Sequence, residues 1–282
     1  MNLNSFFLVL AALLPALVLS IYIFRKDRVE KEPVSLLLRL LFMGALCCYP
    51  AAEAERLIIG VIDGIFAYIP FSEAVYHIYT ACYYFVGVAL VEEGLKWIVL
   101  YFVTKNSREF NCLFDGLIYA IFVSLGFAAF ENIFYVLEYG WLNAFMRAVL
   151  SVPGHMFFAV MMGWYYSLWH ITELASVKER ELKVAGLIRD GIAPFSYSGY
   201  IKLSLIMPVI FHGTYNYCCS VNRIWATAAL YVFVIFMYVY CFGKIRRMSD
   251  GDGYNSRYVD AMLTGKYPHL KEEISETEET FV

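Results

Sequence analysis

The sequence predicts an all-α fold, a polytopic membrane helix bundle of about seven transmembrane helices with eight as the alternative count. Three observations predict it. Hydrophobic residues make up 61% of the 282-residue chain and charged residues only 17%, where soluble domains carry about 25% charged residues. The apolar residues fall in seven runs near the ~20 residues that cross a bilayer. Lysine and arginine alternate between the ends of those runs as the positive-inside rule requires.

The first run, residues 3–24, has no Lys or Arg before it, whereas Arg25, Lys26 and Arg28 follow it. A secretory signal has the opposite order, so this reads as a retained span with its N-terminus outside. Further spans are expected at 34–52, 74–103, 112–137, 142–170, 200–220 and 224–243. The stretch 57–70 is apolar but interrupted by Asp63, two glycines and Pro70. It is read as a short, broken interfacial or re-entrant piece, with an eighth span as the alternative. Seven spans leave 17 Lys and Arg residues in the loops 25–33, 104–111 and 171–202 and in the tail from 244, against Arg56, Arg147 and Arg223 on the other side. The N-terminus is therefore expected outside and the C-terminus in the cytoplasm.

Between spans, Glu173–Tyr200 is the longest charged segment, and its ELASVKEREL suggests a short amphipathic surface helix. The polar tail 244–282 ends in KEEISETEETFV, too acidic and too poor in core residues to pack, and is expected to be disordered. Seven cysteines lie mostly within apolar runs and form no C-x-x-C pair, which reads as small buried residues. The net charge of -3 and the lack of a dense basic stretch exclude nucleic acid as a partner.

Several polar groups stand inside the apolar runs. Glu92, Glu93 and Lys96 occur in VEEGLK, Glu131 and Asn132 in FAAFEN, His155 in PGHMFF, and His212 with Asn216 in FHGTYN. An ionised residue at mid-span costs roughly 2.5–3.5 kcal/mol on insertion scales. Three glutamates and a lysine left unpaired therefore represent on the order of 10 kcal/mol. They must face one another, a metal or a water-filled cavity.

Each motif has a structural reading beside the functional one. Glu92 and Lys96 are four apart on one helix face and can form a plain ion pair, with Glu93 turned about 100° away. Glu131 can snorkel to the interface, and a tilted or shifted fourth helix is needed to bring it level with Glu93. His155, loosened by Pro153 and Gly154, can be a packing histidine. His212 and Asn216 can belong to a polar network. Taken together they supply what hydrolysis in a membrane needs: a bound water, a base and an oxyanion donor. Two histidines and a carboxylate are also a known catalytic zinc ligand set. His77, His170, His269, Arg39 and Asp115 take the structural reading.

These four motifs in this order resemble the PrsW family of intramembrane metalloproteases, in the wider group that contains the CAAX prenyl proteases and bacteriocin-processing relatives. The resemblance rests on Glu92 to Lys96, Phe127 to Glu131, His155 after Pro-Gly, and His212 with Asn216. It extends to DRVEKEP at Asp27–Pro33 and covers residues 1–243. The wider group usually ends the second motif in His, and Glu131 here favours PrsW. The resemblance implies a transmembrane protease domain over 1–243 in a bacterial cell membrane. It also implies cleavage of a single-pass membrane protein, an anti-sigma factor, as the first cut in a cascade that frees a sigma factor.

On this reading Glu131, His155 and His212 are metal ligands for Zn2+, and Glu93 or Glu92 is the general base. Asn216 steadies the oxyanion, and Lys96 pairs with Glu92. A metal-free reaction with a glutamate-activated water stays open. The rival classes are a transporter or metal-ion carrier and a non-catalytic membrane scaffold. No paired Gly/Pro-interrupted spans in matching halves support the transporter.

Overall fold

The computed structural model of the protein describes residues 3–188 and 193–271, and every expected span is helical. The helices are α1 (Leu3–Lys26), α2 (Val34–Leu46), α3 (Cys48–Phe66), α4 (Glu73–Ala81), α5 (Leu90–Thr104), α6 (Asp115–Met146), α7 (Val152–Val184), α8 (Ser198–Ser220), α9 (Ile224–Asp250) and α10 (Asn255–Lys266). Two π-helical segments interrupt the regular pattern. Cys82–Ala89 joins α4 to α5, and Arg147–Ser151 leads into α7. Four stretches, Leu3–Lys26, Val34–Phe66, Asp115–Val184 and Ile224–Asp250, are long and apolar enough to cross a bilayer by length and composition.

The core is α6, and α1, α2 and α7 all pack against it. From Asp115 to Ala129 every residue of α6 is buried, which is why this run is apolar on all faces instead of along one stripe. Two glycines let α2 cross it closely. A Cβ on Gly126 would lie 1.9 Å from the Leu41 carbonyl oxygen, and one on Gly44 would lie 2.0 Å from that of Val123. Small residues at such crossings are how membrane helices gain van der Waals contact where lipid offers no hydrophobic drive. At Gly140 the backbone takes φ 75° and the chain reverses, so α6 and α7 form a helical hairpin.

Three expectations need correction. The stretch 57–70 is not a broken piece, because 57–66 forms the second half of α3. Gly60 and Gly64 sit in regular helix there, and Asp63 accepts a hydrogen bond from the Tyr79 hydroxyl at 2.8 Å. ELASVKEREL is not a separate surface helix but the continuation of α7 to Val184.

The tail is folded over residues 244–271. Its first part completes α9, and α10 then buries Val259 and Leu263 with Tyr267 and Leu270 against Ile171, Ala175 and Ile188. Glu179 anchors it, accepting from Lys266 Nζ at 2.7 Å and from the Tyr267 hydroxyl at 2.5 Å. The acidic ending 272–282 lies outside the described residues. All seven cysteines are free, as their apolar settings led one to expect.

Candidate active site

Charged side chains from three helices meet with imidazoles from α7 and α8 around one centre. On α5, Glu92, Glu93 and Lys96 occupy one turn. Lys96 is fully buried, and its ammonium donates to Glu92 Oε2 at 3.0 Å and to Glu93 Oε1 at 2.8 Å. It also donates to His155 Nδ1 at 3.1 Å, and it lies 4.0 Å from the centre of the Phe127 ring. Expected to pair with Glu92 alone, the lysine bonds both glutamates.

An ammonium has no lone pair, so His155 Nδ1 accepts and its proton sits on Nε2. That nitrogen donates to Glu131 Oε2 at 3.2 Å. The α6–α7 hairpin makes this possible, bringing Glu131 level with His155 without displacing the bundle. The Ser124 hydroxyl donates to the main-chain carbonyl of His155 at 2.8 Å and holds α7 against α6.

His212 arrives from α8. Its Nδ1 lies 2.9 Å from Glu93 Oε1, and since a carboxylate only accepts, the ring donates there and the neutral ring keeps its lone pair at Nε2. Phe158 stacks on the imidazole at 4.7 Å and 13°. A Cβ on Gly213 would meet the Phe85 ring at 2.5 Å, so this glycine lets α8 close on the π-helical segment that precedes α5. The two imidazole centres are 5.5 Å apart.

Sequence reasoning missed two charged members. Arg147 donates to Glu131 Oε2 at 2.5 Å through its terminal nitrogen and to Asn132 Oδ1 at 2.7 Å through Nε. It had been counted as a loop charge, although it lies five residues inside the expected span 142–170, and that position was the available signal. Glu55 on α3 is the other. It fell between two expected apolar pieces and carries no motif.

A cavity of about 480 Å³ opens on this centre, lined by Glu55, Glu92, Glu131, Arg147, His155, His212 and Asn216 among others. Glu93 does not line it; that carboxylate is fully buried behind His212, and its Oε2 has no hydrogen-bond partner. The remaining histidines are structural in their contacts. His77 meets the Tyr217 hydroxyl at 2.8 Å, His170 stacks on Phe110 at 3.9 Å, and His269 donates to the Leu187 carbonyl at 3.1 Å.

The donors suit a divalent ion of zinc type, being carboxylates and imidazoles. The 3.2 Å between His155 Nε2 and Glu131 Oε2 is close to the ~3.3 Å edge of a tetrahedron with ~2.0 Å metal–ligand bonds, but the tautomer that accepts from Lys96 keeps its proton on Nε2, so His155 could ligate an ion there only with Lys96 turned away from Nδ1. The expected trio Glu131, His155 and His212 all face the cavity. A tighter set also exists. Among the described residues, the ligand atoms of Glu92, Glu93 and His155 all lie within 4.8 Å of one another. The ammonium of Lys96 already sits among those three.

Comparison with known proteins gives a consistent result. Residues 32–242 match the family described as PrsW family intramembrane metalloprotease. A protein named Protease PrsW from Geobacillus kaustophilus is 31% identical over 249 residues, covering 88% of this chain and 94% of its own length. Its namesake from Oceanobacillus iheyensis is 35% identical over 201 residues, covering 70% and 86%. That from Bacillus subtilis is 27% identical over 245 residues, covering 86% and 95%. No solved structure matches the chain.

Proposed function

Because the chain belongs to the PrsW family of intramembrane metalloproteases, we propose that it hydrolyses a peptide bond of a single-pass membrane protein with Glu92 as general base. The observation that carries this reading is the different placement of two adjacent carboxylates. Glu92 lines the cavity, whereas Glu93 is sealed behind it and bonded to Lys96 and His212. Of the two bases left open by the sequence, Glu92 alone faces the space a water and a peptide would share.

In the reaction Glu92 takes a proton from the water as its oxygen attacks the scissile carbonyl carbon. Asn216 and Arg147 line the same cavity and offer donors to the developing oxyanion. Glu92 then passes its proton to the leaving amine as the C–N bond breaks. Glu93 is a positioning residue that fixes the His212 ring through Nδ1, as carboxylates commonly do for catalytic or ligating imidazoles. Lys96 sets one ammonium against both glutamates, at 3.0 and 2.8 Å, where a buried carboxylate without a cation would be costly. When bound, a zinc ion held by Glu131, His155 and His212 would supply a Lewis acid and lower the pKa of a water.

The substrate is proposed to be an anti-sigma factor, cut as the first step of a cascade that frees its sigma factor. The support is the resemblance, together with a cavity whose walls include α3, α6 and α7, parts of stretches long and apolar enough to cross a bilayer. The N-terminus is placed outside and the C-terminus, with α10, in the cytoplasm on the 17-to-3 distribution of basic residues. The test is co-expression with candidate single-pass anti-sigma factors, comparing wild type with Glu92→Gln, Glu93→Gln and His212→Ala, with and without a chelator. Expected are a truncated product from wild type and its loss in Glu92→Gln. An unchanged product in Glu92→Gln would end the assignment of the base, and indifference to the chelator would remove the metal.

A further inference from the structure

The reaction cavity has a second arm. A groove of about 370 Å³ shares Glu55, Glu92, Glu131 and Tyr135 with it and runs outward between α3 and α6. Its other walls are apolar: Cys48, Tyr49 and Ala52 on α3, and Phe127, Phe130 and Phe134 on α6. Phe127 forms the floor and is 1% exposed, whereas Tyr49 at 71% and Phe134 at 58% stand at the mouth, on the lipid-facing perimeter. The arm toward Arg147 and Ser220 is polar and this one is greasy, yet both end at the same three carboxylates, Glu55, Glu92 and Glu131.

We propose that this groove is the lateral entry and side-chain pocket for a substrate arriving from the bilayer, and that it takes a large apolar residue next to the scissile bond. The inference rests on the proteolytic reading above and specifies its substrate. Size narrows what enters. A helix about 10 Å across that rises 1.5 Å per residue fills about 120 Å³ per residue. The groove therefore takes about three residues, not a helical span. Hydrolysis needs the peptide unwound, and unwound backbone in lipid leaves several kcal/mol of unsatisfied polar groups. A short unwound stretch is tolerable only where protein or water covers it, and here the polar arm with Glu55 and Arg147 lies directly beyond the apolar one. The rest of the substrate helix stays in lipid against α3. That helix packs on the π-helical segment and α5 and touches α6 only lightly, so the mouth can widen.

The experiment places a photoreactive benzoylphenylalanine at Tyr49 or at Phe134 in the Glu92→Gln background, with the same residue at Val232 or Phe236 on α9 as lipid-facing controls. The partner is a single-pass protein that the wild type shortens. Adducts at 49 and 134 should exceed those at 232 and 236 by tenfold or more and map within a few residues of the cut. Equal labelling at all four positions would overturn the groove. As a second measurement, Ala52→Trp should slow cleavage tenfold or more when a Leu or Phe flanks the cut and much less when an Ala does. An equal fall for both substrates also overturns it. If the wild type shortens no single-pass protein, the proteolytic reading itself falls, and the groove with it.

Discussion

Two parts of this molecule bury several carboxylates, and they neutralise them in opposite ways. Around the cavity Glu92, Glu93 and Glu131 each meet a cation, Lys96 or Arg147, and imidazoles contact Glu93 and Glu131. At the other end of α6, Asp27, Glu32, Asp115 and Asp252 are held by neutral donors. Asp27 accepts from the Glu32 amide, and Asp115 from those of Asn111 and Cys112. Asp252 accepts from Phe114 and Gly253, and Glu32 from the Tyr119 hydroxyl at 2.7 Å. Among the described residues none of these four makes an ion pair, and Asp27, Asp115 and Asp252 each keep one buried oxygen without a partner. The first group is held by cations, with Glu92 and Glu131 open to the cavity and Glu93 sealed behind it. The second ties loops together and bears a cost when it ionises.

The largest break in this comparison is Glu92→Gln. It should lower cleavage by 10²–10⁴, the usual range for a lost general base, while thermal unfolding in detergent stays near wild type. Lys96→Met comes next. It leaves two glutamates buried without their cation, which costs about 3–5 kcal/mol. A large fall in melting temperature, beyond that of Glu92→Gln, would be read by scanning fluorimetry.

A smaller effect sharpens the contrast through pH. Burial pushes the Glu32 carboxyl up to about 7, and Asp27 and Asp252 are also raised by burial. A raised acid keeps its proton in the fold after the unfolded chain has lost it. Stability should therefore fall as pH rises from about 4.5 to 7, by at most ~1.4 kcal/mol per unit for one proton. Melting temperatures from pH 5 to 8 should show that fall, and Glu32→Gln should flatten it. Least of all is Arg28→Ala. Its pair with Asp250 is about half exposed on both sides and should shift stability by less than ~1 kcal/mol, within the scatter of repeated melts.

Much of this arrangement was legible in the residues. Runs of about 20 apolar residues have few ways to exist, and each is helical over nearly all its length, although 34–52 is divided between α2 and α3 and 74–103 passes through a π-helical segment; charges inside them were expensive enough to announce a shared pocket. What stayed hidden was rotational. Glu92 and Glu93 differ by 100° about α5, and which one faces the cavity depends on the phase set by the π-helical turns at Cys82–Ala89. Periodicity analysis assumes a regular helix and cannot see that phase. Arg147 was hidden because a basic residue near the end of an expected span reads as an interfacial charge, even inside the bounds 142–170. The folded tail was hidden by its own ending, since the acidic residues after 271 outweighed the stripe Val259, Leu263, Tyr267 and Leu270 that packs on α7.

The reversal at Gly140 has a consequence for the order of assembly. Glu131 and Arg147 lie on its two arms, sixteen residues apart, so a nascent chain releases the acid and its counter-charge almost together. As soon as the hairpin closes, the carboxylate entering the bilayer has its guanidinium. His212 is made 65 residues after Arg147, when that hairpin is already neutralised. The candidate site is thus built in two instalments: a local pair that makes insertion bearable, and a late helix that brings the second imidazole.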